Sequence, residues 1–247
     1  MLFRNIILTA LFAALISGVV LGVMQAFSTS KIIYAAEVYE VEDEASSDHQ
    51  HSHDNNNSAT HSHEAEWQPK DGIERVSYTV IADILIAFGH SLLLTSFMAL
   101  LFLKFGKPEI SWRSGLIIGI GGYVSFYLAT IIGLPPEIPG SIAADLHARQ
   151  IWWTLTIVMT AMGLTTLYLA PNAAKLLGLV FIAIPHIIGA PQPEVEGFLN
   201  HDPVAVSALE QLQHQFLIST AWVNAIYWLV LGLFSGLFAK KMLQTSI

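Results

Sequence analysis

The sequence predicts an all-α polytopic membrane protein. It has six transmembrane helices, or five if a short fifth run fails to cross, with both termini cytoplasmic and a long, disordered, His-rich first outer loop. Three observations predict it. Hydrophobic residues make up 53% of the 247 residues and Asp, Glu, Lys and Arg only 12%, against roughly 25% charged in an ordinary soluble domain. The apolar residues fall into charge-poor runs close to the about 20 residues needed to cross a hydrocarbon core. Basic residues gather on one side of those runs and acidic residues on the other.

The first run, 6–27, carries no charge. Arg4 and the small residues around Ala35 and Ala36 imitate a secretion signal, but 22 uncharged residues exceed the about 7–15 of a signal core. A retained helix is the expectation. The segment 28–75 is the long outer loop. The run 76–103 holds one carboxylate, Asp83, and one histidine, His90, seven residues apart and so nearly on one helical face. The runs 115–134 and 151–170 are uncharged. The run 176–189 is short and contains Pro185 and His186, so it either crosses or forms a re-entrant element. The uncharged run 216–239 closes the set.

Orientation follows from the Lys and Arg of short loops, which favour the cytoplasm. With the N-terminus inside, Arg4, Lys104, Lys107, Arg113, Lys175, Lys240 and Lys241 face the cytoplasm, and Lys31, Lys70, Arg75 and Arg149 face out. Of 19 acidic residues, Glu109 lies inside and Asp83 within a span; the other 17 lie outside, with eight of the ten histidines. The net charge of −8 is thus an anionic, imidazole-rich outer face, which concentrates cations.

That face suggests metal chemistry. The chain has no cysteine, so any metal is held by nitrogen and oxygen. His49, His51 and His53 alternate, as do His61 and His63, and alternate side chains of an extended chain point the same way. Five imidazoles within 15 residues, flanked by carboxylates, favour metal capture over an idle polar linker. Imidazole suits cobalt, nickel and zinc alike, so this chemistry does not choose among Co²⁺, Ni²⁺ and Zn²⁺. The other outer loops share a pattern: Ile-Ile-Gly, two prolines, then Glu137 in one and Glu194 in the other. Glu137, Asp145, His147 and Glu194 are the candidates for lining a cation entrance, and His186 beside Pro185 for a pore or gate. The weak repeat suggests two related helix pairs, although Gly followed by Pro also simply ends helices. Gly18/Gly22, Gly115/Gly119 and Gly232/Gly236 are small-residue faces for helix packing.

Absent motifs narrow the function. There is no phosphate-binding loop, no H-E-x-x-H and no G-x-S-x-G. An enzyme is not expected, nor a permanently bound cofactor, nor a nucleic-acid partner. The expected partners are lipid and a divalent metal ion, carried as cargo.

Longer stretches resemble a known family. They are Trp67-x-Pro69-x-Asp71-Gly72-x-Glu74-Arg75, Gly133-Leu134-Pro135-Pro136-Glu137-x-Pro139-Gly140 and Asp145-x-x-Ala148-Arg149-Gln150-x-Trp152-Trp153. The most specific is Pro185-His186-x-x-Gly189-Ala190-Pro191-Gln192-Pro193-Glu194. With the short Met-Leu-Phe-Arg start, the chain resembles the CbtA family of cobalt transporter subunits nearly end to end. The resemblance implies a multi-pass protein of the plasma (inner) membrane and a small, single-span, His-rich companion subunit, CbtB. It also implies a role in supplying cobalt for cobalamin synthesis.

Overall fold

The computed structural model describes residues 2–40, 69–70, 72–106 and 109–243. Among them the secondary structure is helical, save one isolated bridge between Ser141 and Phe198. The helices are α1 (Leu2–Phe27), α2 (Thr29–Glu37), α3 (Ile73–Phe105) and α4 (Trp112–Ile131). They continue with α5 (Leu146–Leu169), α6 (Asn172–Ile188) and α7 (Pro203–Leu243). Five of these, α1, α3, α4, α5 and α7, are long and apolar enough to cross a membrane; α6, with 17 residues, is shorter. The fold is that of an all-α polytopic membrane protein.

Local chemistry sets the ends. Gly106, at φ +64°, stops α3, and its N–H bonds back to the Phe102 carbonyl. Ser111 and Ser114 exchange side-chain and backbone hydrogen bonds to open α4. Asp145 accepts from the Ala148 N–H at 2.9 Å to open α5. Pro203 opens α7, where its missing donor costs nothing. Within α4, Val124–Leu128 forms a π-helical turn.

Helices α1, α3, α4 and α7 form a bundle. α1 lies along α3 and α7, and α4 along α7. Its centre is Leu21, Ala87, Leu94, Val223, Tyr227, Trp228 and Leu231. Glycines let the backbones touch: a Cβ on Gly115 would come within 2.7 Å of the Gly236 Cα, and one on Gly119 within 2.9 Å of the Gly232 Cα. A Cβ on Gly18 would lie 2.5 Å from the Ile84 Cα. All three small-residue faces are therefore packing seams, where dispersion replaces the hydrophobic effect as the binding force. α5 and α6 form a separate hairpin, crossing at Gly163 and Gly178. It joins the bundle chiefly through the π-helical turn and last turn of α4.

The two ends of the molecule differ. One carries Arg4, Lys104, Arg113, Lys175, Lys240 and Lys241 and is closed by Met98, Ala99, Ile110 and Ala239. The other carries the acidic loops and a cap that the search for charge-free runs does not anticipate. There α2 brings Ile32, Ile33 and Ala36 against Leu209, Leu212 and Phe216 of α7, with Ile138 between them. This contact extends α7 well before residue 216: at 1.5 Å per residue its 41 residues measure about 60 Å, twice a hydrocarbon core. His214 lies within α7, and His147 lies in the first turn of α5.

Candidate functional site at the acidic end

The two Gly-Pro loops meet. The segment after α4 and the segment after α6 face each other across a pocket of about 130 Å³, lined by Gly133, Leu134, Glu137, Arg149, Gln192 and Glu196 among others. Gly133 permits the approach, since a Cβ there would come within 2.7 Å of the Ala190 Cβ and 2.6 Å of the Trp152 ring. Backbone bonds from Ile142 N–H to Gly197 O and from Leu199 N–H to Gly140 O, each 2.9 Å, tie the loops together. Gln213 of α7 clamps the first loop, donating to the Pro136 carbonyl at 2.7 Å and accepting from the Ile138 N–H at 3.2 Å. The Trp152 indole N–H donates to the Pro185 carbonyl at 3.0 Å, which fixes the end of α6 on α5.

Charge in the pocket is arranged as a pair and a spare. Arg149 donates to the Glu137 carboxylate at 2.7 Å, both side chains about a quarter to a third exposed. Glu196 is exposed on the opposite wall. Two carboxylates and one guanidinium leave the lining with a net negative charge, which attracts cations.

The sequence-predicted residues fall as follows. Glu137 lines the pocket, held by Arg149. Asp145 is exposed and caps α5. His147 and Glu194 are exposed near the pocket in sequence but do not line it. His186 is half-buried; its Nδ1 is buried without a hydrogen-bond partner, and its ring meets Trp152 edge-on at 6.0 Å. The Pro185 carbonyl is taken by Trp152 and by the Gly189 N–H. Among the described residues, no three His, Asp or Glu side chains stand together as a metal-holding group. His49, His51, His53, His61 and His63 lie outside the described residues. The chain bearing them leaves and re-enters at the cap, where Arg75 makes two bonds to the Glu37 carboxylate, at 2.5 and 3.2 Å, and stacks on Tyr34 at 4.4 Å. Sequence reasoning does not single out Arg149, Glu196 or Gln213 as site residues. Only Arg149 carries a signal, as part of the Asp145–Trp153 motif.

Polar groups also line the bundle. His90 Nδ1 and the Tyr227 hydroxyl are 2.8 Å apart, and the His90 ring packs on Phe126 and Trp228 at 4.8 Å each. Ser91 and Ser235 hydrogen-bond at 2.9 Å. Asp83 is 5% exposed, and its Oδ2 has no partner.

These features define a class first: a helical, multi-pass membrane protein with an acid-bearing pocket at one end and basic residues at the other. The family profile described as "Probable cobalt transporter subunit (CbtA)" matches residues 3–240. The chain belongs to this family, and a transporter subunit is not a class of enzyme. No curated protein and no solved structure matches it significantly.

Proposed function

We propose that this chain admits Co²⁺, or a related divalent ion, inward across the plasma membrane, as a subunit of an importer that supplies cobalamin synthesis. The observation that carries this reading is the meeting of the Gly133–Glu137 and Pro191–Gly197 loops in one pocket of net negative charge, opposite the basic end. Basic residues favour the cytoplasm, so the pocket faces outward. The histidines at 49, 51, 53, 61 and 63 collect ions for it. Glu137 and Glu196 receive the ion in the pocket, with Asp145, His147 and Glu194 around the entrance. His186, with its unpartnered ring nitrogen behind Trp152, is the next ligand inward. The membrane potential drives entry: it is worth about 2.3 kcal/mol per charge per 100 mV, and twice that for a divalent ion.

The test is uptake of radiolabelled Co²⁺ into proteoliposomes holding this chain under an inside-negative potential. Wild type takes up the ion, whereas Glu137→Gln and His186→Ala, folded by gel filtration, do not. Uptake indifferent to both substitutions sinks the reading of the site.

A second reading has its own support. The described residues lack any group of three candidate ligands, which suits a metal-gathering scaffold that leaves passage to a partner. That reading expects no uptake by this chain alone, and uptake once a small, single-span, His-rich CbtB-like subunit is added.

A further inference from the structure

Four helix ends converge at the basic end of the bundle. The Asn5 side-chain N–H donates to the Met242 carbonyl at 2.7 Å, joining the start of α1 to the end of α7. A Cβ on Gly236 would stand 2.5 Å from the Ser111 carbonyl oxygen, so α7 also lies against the cap of α4. The end of α3 completes the meeting: Met98, Ala99 and Phe102 pack with Leu2, Ile6, Ile110 and Ala239 in one apolar plug.

Around that plug the chain places five exposed cations: Arg4 beside Asn5, then Lys104 and Arg113, and Lys240 and Lys241 just before Met242. Among the described residues none of the five is in an ion pair, and Glu109 is the one acid on these four ends. Lys104, Lys240 and Lys241 lie in last turns, where the helix dipole favours a cation. Arg4 and Arg113 lie in the first turns of α1 and α4, where the dipole disfavours one. Helix stability therefore gives no reason for those two. An anion at this end does, because it meets two helix starts and offsets the repulsion among five like charges.

Aromatic side chains set the depth. Phe3, Phe105 and Trp112 are exposed here. The Lys104 ammonium lies 5.6 Å from the Phe105 ring centre, and the Arg113 guanidinium 5.3 Å from that of Trp112. Such rings collect at the headgroup level of a bilayer, so cations held over them stand at the depth of lipid phosphates. Basic residues also favour the cytoplasmic side, whose leaflet carries anionic lipid. An acidic soluble protein would need the charges but not exposed rings beside them.

We propose that this end is a docking site for anionic phospholipid headgroups, whose phosphates bind Arg4, Lys104, Arg113, Lys240 and Lys241. The lipid holds the four helix ends together against their own charge, so the bundle is steadier in an anionic bilayer than in a neutral one. The site is independent of the pocket at the acidic end and of the ion received there.

Native mass spectrometry of the full chain in detergent, with dioleoyl phosphatidylglycerol or dioleoyl phosphatidylcholine added, tests this. Wild type binds the anionic lipid at least about tenfold more tightly, and each cation removed weakens that binding about fivefold. The double variant Lys240→Gln, Lys241→Gln therefore loses the preference, while Lys240→Arg, Lys241→Arg keeps it. Arg4→Gln, across the Asn5–Met242 bond, reads the same site if the double variant does not fold. Lys175→Gln, a cation of the same side on α6, leaves the preference unchanged. Equal binding of the two lipids by wild type overturns the proposal. So does a preference that Lys175→Gln lowers as much as Arg4→Gln, which is a general attraction to one side of the protein. Tighter binding of a polyglutamate peptide than of phosphatidylglycerol also overturns it, in favour of an acidic protein partner.

Discussion

In the bundle, α4 and α7 meet through two glycines on each helix, whereas α5 and α6 meet through one on each. Burial differs as well: 39% of the most apolar stretch of α4 and of α7 is inside the protein, against 28% for α5. On α6, Leu176, Leu177, Leu179 and Val180 all remain largely exposed, facing whatever surrounds the protein. The bundle is closed on itself, and the hairpin is fastened to it mainly at one end. The pocket lies on that fastening, one wall from the bundle's last turn and one from the hairpin's. A site placed there feels any tilt of the hairpin, while the bundle holds the reference.

Substitutions rank the two regions. Gly232→Leu drives a side chain into the backbone of α4 and is expected to cost at least about 3 kcal/mol, read as loss of the monodisperse peak in gel filtration. Gly163→Leu forces α5 from Gly178 and costs about 2 kcal/mol. Limited proteolysis then cuts the α5–α6 region while the bundle fragment survives. If both variants lose the bundle together, the two regions fold as one unit and the contrast fails. Trp152→Phe removes the indole bond to the Pro185 carbonyl and costs about 1 kcal/mol, seen as a lower melting temperature. Smallest is Arg149→Gln. The pair is partly exposed, so melting shifts by no more than about 1 kcal/mol, yet Glu137 is freed, and Co²⁺ should raise the melting temperature more than in wild type.

Much of the fold was legible because crossing a membrane requires long runs with few charges, and the runs at 6–27, 76–103 and 216–239 satisfy that rule. The cap was missed for the same reason. Ile32, Ile33 and Ala36 on α2, and Leu209, Leu212 and Phe216 on α7, recur at helical spacing but lie among polar residues that a search for charge-free runs passes over. Around the pocket, the Gly-Pro-Pro-Glu and Gly-Ala-Pro-Gln-Pro-Glu signals pointed to the right loops. They did not foretell that Glu137 takes Arg149, twelve residues on, as its partner, because that pairing depends on how α5 leaves its cap. The shared face of Asp83 and His90 follows from a spacing of seven; Tyr227, 137 residues beyond His90, does not.

The π-helical turn at Val124–Leu128 makes α4 address two audiences. Such a turn holds one residue more than an α-helix would, so everything after it is rotated by about 100° relative to an uninterrupted helix. Before the turn, Gly115 and Gly119 face α7; after it, the last turn packs on α5 and Gly133 reaches Trp152 and Ala190. Removing a single residue from that turn would restore the uninterrupted phase and swing Gly133 away from both. The position of the first wall of the pocket is therefore written in the count of residues along α4, one more than a plain helix needs.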